Sequence, residues 1–402
     1  TKKDIRDIGS ELDVSTILEG SVRKEKDHIR VTAQLISIND GSNLWADTFD
    51  HKLEDIFSLQ DEVSRSIADA LKLQFGPGVL AAENPKNFEA YDYYLKMGHW
   101  TNIYLISKNE EDFLKVLKYS KLALEADPKF ARVYASLAYA HEHHYSVTGI
   151  PADRETVVKN CLIAYQLNPD LPTTNVAIAY VYFMQGKHEK TALHLKIALS
   201  LNSNSTGTLQ ITGLILYNSG LYKRAIKYYN KAEELDPFYL YSPLMIGNSY
   251  RNLGEIEQAL FYYKKTLNLA PTDLDNMAIL INVLIMNKKY EEAENFLKES
   301  EKISPEHSEI NTSRAFWFAA IGKKREALSI KKISKWRKGQ LYSLLGMQDE
   351  ALKLISEGSE DSYLSLLNYP FYKNLLRDPR YRKILDKLKE KYENFSKIFK
   401  EF

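Results

Sequence analysis

The sequence predicts a mostly α-helical protein in which helix pairs stack into a solenoid, preceded by a small α+β domain with an antiparallel sheet. Three columns of residues recur at a step of 34 positions and carry this prediction. They are prolines at Pro237, Pro271 and Pro305, alanines at Ala225, Ala259, Ala293 and Ala327, and glycines at Gly186, Gly220, Gly254 and Gly322, with Lys288 the one departure. A unit of this length holds two helices of about twelve residues and two short turns. Since neither helix can bury its apolar face alone, we expect neighbouring units to share one core.

Residues 206–237 illustrate one unit. Leu214 and Tyr217 recur at helical spacing before Asn218-Ser219-Gly220 ends the first helix, and a second helix follows. The unit resembles the tetratricopeptide repeat (TPR), and the residues that match its pattern are Gly213, Leu216, Ala225, Tyr229, Ala232 and Pro237. The resemblance implies a right-handed superhelix of helix pairs whose first helices line a concave groove.

Residues 1–75 do not follow the repeat. We expect a short helix ending near Leu12, strands in residues 14–39 that turn at Lys26-Asp27, a third strand in residues 43–51, and a helix from about Leu53 to Leu73. Residues 3–73 resemble the second half of the TolB-like N-terminal domain of bacterial multidomain regulators, through the runs LEGSVR, VTAQLI and LEDIFSLQDE. In that family the domain precedes a TPR array. Upstream lies a class III nucleotide cyclase, a Ser/Thr kinase or a winged-helix domain.

The rest of the chain divides into three predicted parts. Residues 76–90 are expected to be a linker, residues 91–358 an array of about seven to eight units, and residues 359–402 a C-terminal helical cap. The second unit ends at Pro169, 41 residues after Pro128, so we place its extra residues in a turn between Ser146 and Arg154. The run YPFYKNLLRDPRY also resembles the closing segment of the same regulators.

Composition excludes several classes of protein. Lys and Arg number 54 against 53 Asp and Glu, so the chain lacks the basic excess of nucleic-acid-binding domains. A single cysteine, Cys161, rules out an intrachain disulfide. No apolar run is long enough to span a membrane. Because the chain begins at Thr1 and not at methionine, we expect a fragment of a longer protein.

Catalytic motifs are not found. The sequence has no Gly-rich phosphate loop, GxSxG elbow, HExxH or CxxC pair, so we expect no enzyme activity, no cofactor and no metal in this chain. His141 and His144 are the nearest approach to a metal site, because they share a helix face and can bind zinc with a third ligand. The alternative is the polar end of a repeat helix with solvated imidazoles.

A partner-binding groove is predicted from positions that line the groove in TPR proteins. The residues at these positions are Tyr180, Tyr217, Asn218, Asn248, Arg251, Asn252 and Asn282. An asparagine amide bonds both N–H and C=O of an extended peptide, which suits this role. Asn218 and Asn252 have an alternative interpretation as residues that end helices.

A basic patch is predicted around Trp336, with Glu326 as the single acid among its cations. The cations are Lys323, Lys324, Arg325, Lys331, Lys332, Lys335, Arg337 and Lys338. Such a patch docks an acidic peptide, a phosphate group or nucleic acid, or is a solvated helix face.

These features favour the C-terminal regulatory region of a bacterial signalling protein. It is expected to bind a protein or peptide and to bias an upstream output domain without catalysis of its own. The alternatives are the sensor part of a cyclase or kinase, the C-terminal part of a winged-helix transcriptional regulator, and a free-standing TPR scaffold. A cytoplasmic location is expected, with the periplasmic part of a membrane-anchored regulator as the alternative. Homo-oligomerisation stays open.

Overall fold

The computed structural model describes residues 7–9, 14–52, 55–71, 88–357 and 362–402. Residues 10–13 and most of the predicted linker, including residues 76–87, lie outside this range. The chain divides into two compact units: residues 1–104 with 109–171, and residues 105–108 with 172–402. The predicted fold class, a helical array preceded by a small antiparallel sheet, is confirmed.

The sheet of the first unit has the order β1 (Thr16–Glu25), β2 (His28–Ser37) and β3 (Asn43–Lys52), all antiparallel. Helix α1 (Ile56–Ala70) packs on β3, and Ile29, Phe49 and Leu59 are buried together between them. On strand β1, Val22 is 68% exposed. The sheet therefore buries apolar residues mainly through β2 and β3.

The helices of the first unit are α2 (Phe88–Ser107), α3 (Glu110–Ala126), α4 (Ala131–Thr148) and α5 (Pro151–Leu167). The prediction of a long turn between Ser146 and Arg154 was wrong. Gly149 ends α4 with a φ of 70°, and Pro151 begins α5 two residues later. The extra residues instead lengthen both helices, because a left-handed glycine and an N-terminal proline are sufficient to reverse the chain.

The second unit continues the helix pairs and ends in a return segment. Its pairs are α6 (Pro172–Met184) with α7 (His188–Leu201), α8 (Thr206–Asn218) with α9 (Tyr222–Leu235), α10 (Tyr241–Leu253) with α11 (Ile256–Leu269), α12 (Leu274–Met286) with α13 (Tyr290–Ile303), α14 (Ser308–Ala320) with α15 (Lys324–Ser329), and α16 (Lys335–Leu344) with α17 (Gln348–Glu357). The return segment, residues 362–402, contains α18 (Tyr363–Asn368), a 3₁₀ helix (Pro370–Leu375) and α19 (Pro379–Ile398).

The alanine and glycine columns have separate structural causes. The alanine column is fully buried, as at Ala259 and Ala293, where helices pack closely. The glycine column ends the first helix of each pair in the left-handed region, with a φ of 74° at Gly220 and 79° at Gly254. Lys288 occupies the same position with a φ of 59°, so it keeps the glycine conformation although it carries a side chain.

Replacing Lys288 by glycine should raise the free energy of unfolding of the second unit by about 0.5–1 kcal/mol. A left-handed residue with a Cβ costs about 1–2 kcal/mol, and the greater freedom of glycine in the unfolded chain offsets part of the gain. Urea unfolding followed by circular dichroism measures the change. Lys289→Gly is the control, because Lys289 has a φ of −84° and gains nothing from glycine. Equal loss in both variants would contradict the assignment of strain at Lys288.

Candidate functional site

Five of the predicted groove residues lie on α8 and α10, and hydrogen bonds hold three of them, Tyr217, Asn248 and Asn252. Asn248 Oδ1 accepts a 2.7 Å hydrogen bond from Tyr263 Oη of α11. Asn252 Nδ2 donates to Tyr217 Oη of the preceding pair at 3.0 Å. Arg251 lies between these two asparagines in sequence, on the same helix. We call Tyr217, Asn248, Arg251 and Asn252 the α8–α10 surface.

The return segment covers this surface. Asn368 Nδ2 donates to the backbone carbonyl of Asn252 at 3.4 Å, and the Tyr369 ring centre lies 5.8 Å from the guanidinium carbon of Arg251. Nearby, Tyr222 Oη and Ser362 Oγ are 2.6 Å apart. Residues predicted to face an external partner thus contact a polypeptide segment of the same chain.

The close approach also explains two members of the glycine column. A Cβ on Gly220 would lie 3.1 Å from the Cβ of Ser362, and one on Gly254 would lie 3.2 Å from the Cβ of Asn368. Both glycines therefore have a second role besides their left-handed conformation, since they leave room for the return segment.

The last helix of the return segment lies against α7 and α9. Arg224 Nη1 donates to the carbonyls of Ser396 at 3.2 Å and Phe399 at 2.6 Å, which are among the carbonyls that the end of α19 leaves without an intrahelical partner. The His188 ring packs edge-on against Phe395, with centroids 4.7 Å apart. Lys196 forms an ion pair with Glu401. The end of the chain is thus held by polar contacts as well as by aromatic packing.

Arg251 is a cation surrounded by aromatic hydroxyl groups. No carboxylate in the described part of the chain forms an ion pair with it, and its Nε is buried without a hydrogen bond to these residues. Burial alone would lower the pKa of Arg251, but the phenol groups of Tyr263, Tyr369 and Tyr217 raise it overall, so the guanidinium stays charged. Burial raises the pKa of Tyr263, which keeps that phenol neutral.

Other polar groups of the second unit are buried without a partner among the described residues. Asn282, one repeat after Asn248, is 3% exposed, and neither its Oδ1 nor its Nδ2 forms a hydrogen bond. Tyr369 Oη and Gln340 Nε2 are in the same condition. A buried amide without partners costs free energy, so a group that formed hydrogen bonds with these atoms would lower that cost.

The remaining predicted groove residues are not linked to this cluster by the contacts above. Asn218 is exposed as the last residue of α8, which fits its alternative interpretation as a helix-ending residue. Tyr180 is buried on α6, with 9% of its surface exposed.

The predicted basic patch lies on α15, on the segment after it and on the start of α16. Lys323, Lys324, Arg325, Lys331, Lys332 and Lys335 are exposed, whereas Arg337 and Lys338 are half-buried. Arg337 Nη2 is 3.3 Å from Glu309 Oε2, and Lys335 Nζ is 2.6 Å from Glu357 Oε2. Carboxylates outside the patch therefore neutralise part of its charge.

On α4, His144 is buried and His141 is half-buried, and both pair with a carboxylate, so the interpretation as solvated imidazoles was wrong for these two. His141 Nδ1 and His144 Nδ1 each lie 2.7 Å from an oxygen of Asp153, which α5 supplies. His144 Nε2 is 3.0 Å from Glu110, and its ring stacks on Phe113 with centroids 3.9 Å apart. The histidine cluster therefore ties α3, α4 and α5 together. The described ranges contain no group of three potential ligands placed to hold a metal ion.

Two opposing effects set the pKa values in the histidine cluster. Burial lowers the pKa of His144, but hydrogen bonds to Glu110 and Asp153 and the charges of both raise it overall. Burial raises the pKa of Asp153, while hydrogen bonds from His141 and His144 lower it overall. The arrangement favours a carboxylate paired with a protonated imidazole.

Comparison with known proteins supports the interpretation of the repeats. The tetratricopeptide-repeat family model matches residues 209–239 and 244–273, so the chain carries TPR units. A protein of Rhizobium meliloti (strain 1021) named "Putative adenylate cyclase 3" is 36% identical over 138 residues, which are 34% of this chain and 23% of that protein. Tetratricopeptide repeat protein 37 of Xenopus laevis is 23% identical over 221 residues, which are 46% of this chain and 14% of that protein.

Among solved structures, Pseudomonas aeruginosa PilF is 16% identical and covers 57% of this chain and 97% of its own, with a TM-score of 0.41. The matched stretches make up only 23% of the Rhizobium meliloti protein and 14% of the Xenopus laevis protein, so this chain spans a small part of each. A search of the described helices for one long and apolar enough to cross a membrane finds none.

Proposed function

We propose that this chain is a protein-binding regulatory module, and that a partner's polypeptide segment binds at the α8–α10 surface. One observation carries the proposal: this surface already holds a polypeptide, the return segment of the same chain. Its contacts with Tyr369 and Asn368 combine ring stacking on Arg251 with a hydrogen bond to a backbone carbonyl. Stacking on a cation and backbone hydrogen bonding are general means of holding peptides.

We further propose that binding biases a signalling domain elsewhere in a longer protein, without catalysis by this chain. The match to a stretch that makes up 23% of a protein named as an adenylate cyclase supports this, because most of such a protein lies outside the shared stretch. A nucleotide cyclase is therefore the output domain that we favour. The amide, phenol and guanidinium groups of the α8–α10 surface are suited to binding.

The test is selection of phage-displayed peptides on the full chain, followed by affinity measurement with purified variants. Asn248→Ala combined with Arg251→Glu should weaken binding of a selected peptide by at least about a hundredfold, since loss of the cation contact and an unpaired carboxylate in its place each cost more than about 1.4 kcal/mol. Asn218→Ala is the control, because Asn218 is exposed outside the α8–α10 surface. Binding that is unchanged in the double variant would refute the proposed site.

A further inference from the structure

The return segment holds the α8–α10 surface as a ligand of the same chain. Its first part contacts Tyr222 through Ser362 and covers Arg251 with Tyr369, and its end is held by Arg224. Any partner that binds the same surface must displace at least this first part of the segment. Because the segment is covalently attached, its local concentration is far above that of a free protein.

The return segment leaves the polar groups near this surface incompletely satisfied. Arg251 Nε is buried without a hydrogen bond to the described residues. Asn282, in the equivalent position to Asn248 one repeat later, has both amide atoms in the same condition. An occupant that offers acceptors to these donors gains bonds that the return segment does not make.

Charge specifies what such an occupant carries. Arg251 is the half-buried cation of this surface, and the carboxylates of the described residues form their ion pairs with other residues. A carboxylate on the incoming segment would therefore find a guanidinium without a carboxylate partner, and a charge-assisted hydrogen bond to it is stronger than a neutral one. An aromatic side chain next to that carboxylate would replace the Tyr369 ring.

We propose that residues 362–402 compete with a partner for the α8–α10 surface. The partner that displaces them is a protein segment with an aromatic residue next to a carboxylate. Its ring stacks on Arg251, and its carboxylate forms an ion pair with the same guanidinium. The proposal rests on the proposed function, and adds how access to the surface is controlled and which chemistry is recognised. When the partner binds, it replaces the return segment on α10.

The test uses the full chain and a fluorescent peptide of residues 363–376 in which aspartate replaces Asn368. We call this the aspartate peptide. Arg224→Ala removes hydrogen bonds to Ser396 and Phe399 without touching the α8–α10 surface, so it weakens only the competitor. Fluorescence anisotropy should show about tenfold tighter peptide binding than in the wild type. Tyr222→Phe, which removes the bond to Ser362, should act in the same direction. Lys223→Ala, an exposed neighbour, is the control and should match the wild type.

The outcomes separate this inference from the proposed function. Equal peptide affinity in the wild type and in both weakened variants would show that the return segment does not compete, and would overturn the inference while leaving peptide binding in place. Absence of binding in every variant would overturn the proposed function itself. The aspartate peptide should bind about fivefold tighter than its asparagine counterpart, and Arg251→Gln should abolish that preference. A preference that survives in Arg251→Gln would remove Arg251 from the recognition.

Discussion

Replacing Tyr263 by alanine should lower the free energy of unfolding of the second unit by about 3–5 kcal/mol. Tyr263 is 1% exposed, and its ring fills the space that Gly247 leaves open, where a Cβ would lie 3.0 Å from the ring. The substitution leaves a cavity and also deprives Asn248 of its hydrogen bond. The same pairing recurs one repeat earlier between Gly213 and Tyr229, so it belongs to the repeat itself.

Urea unfolding of the full chain measures this loss, and Phe261 provides the matched control. Phe261 lies on the same helix and is 60% exposed, so Phe261→Ala should change the free energy of unfolding by less than about 0.5 kcal/mol. Losses of similar size in the two variants would contradict the packing described for α10 and α11.

Replacing Asp153 by alanine should destabilise the first unit by about 3 kcal/mol at mildly acidic pH, because it leaves His141 and His144 without their shared acceptor. Glu155→Ala is the control, since Glu155 is exposed on the same helix. Thermal unfolding monitored by circular dichroism measures both. An Asp153→Ala protein as stable as the control would contradict the buried histidine cluster.

The loss should also depend on pH, with a definite sign. The pKa of Asp153 is lowered on folding, so its contribution is present above its ordinary value of 3.8 and is lost as pH falls through the folded value. The pKa of His144 is raised, so its contribution is complete below its ordinary value of 6.5 and is lost as pH rises through the folded value.

The difference in the free energy of unfolding between wild type and Asp153→Ala should therefore shrink as pH rises from about 6 through the raised folded pKa of His144. Of the other groups facing the histidine cluster, Tyr104 has a pKa raised to about 12 by burial and the charges of Glu110 and Asp153, so it stays neutral over this range. A difference that grows with pH over this range would contradict the predicted sign.

The repeat could be predicted from sequence because its causes are local. Gly220 and Gly254 must be left-handed where each first helix ends, and Ala259 and Ala293 must be small where helices cross, so the chain records both at a fixed step. Lys288 looked like a departure from the pattern, yet its backbone follows it. The repeat predicts glycine at position 288, and lysine adopts the same left-handed backbone conformation there.

Contacts between distant parts of the chain were not predictable in this way. The sequence placed Arg251 and Asn252 in a groove, but no period connects Asn252 with Asn368 or Tyr222 with Ser362. Residues 359–402 were predicted as a terminal cap, and nothing in the local sequence of residues 362–402 indicates that they contact α8 and α10. The histidine cluster was missed for the same reason, since Glu110 and Asp153 join His144 from other helices.

Photo-crosslinking from position 369 tests the central claim, that the return segment occupies the α8–α10 surface. Tyr369 is replaced by p-azidophenylalanine, which keeps the ring in place, and the products of irradiating the full chain are mapped by mass spectrometry. The account predicts an intrachain link to α10 at or next to Arg251, and its loss when excess aspartate peptide is added to the Arg224→Ala form. Crosslinks elsewhere in the chain, with none to α10, would contradict it.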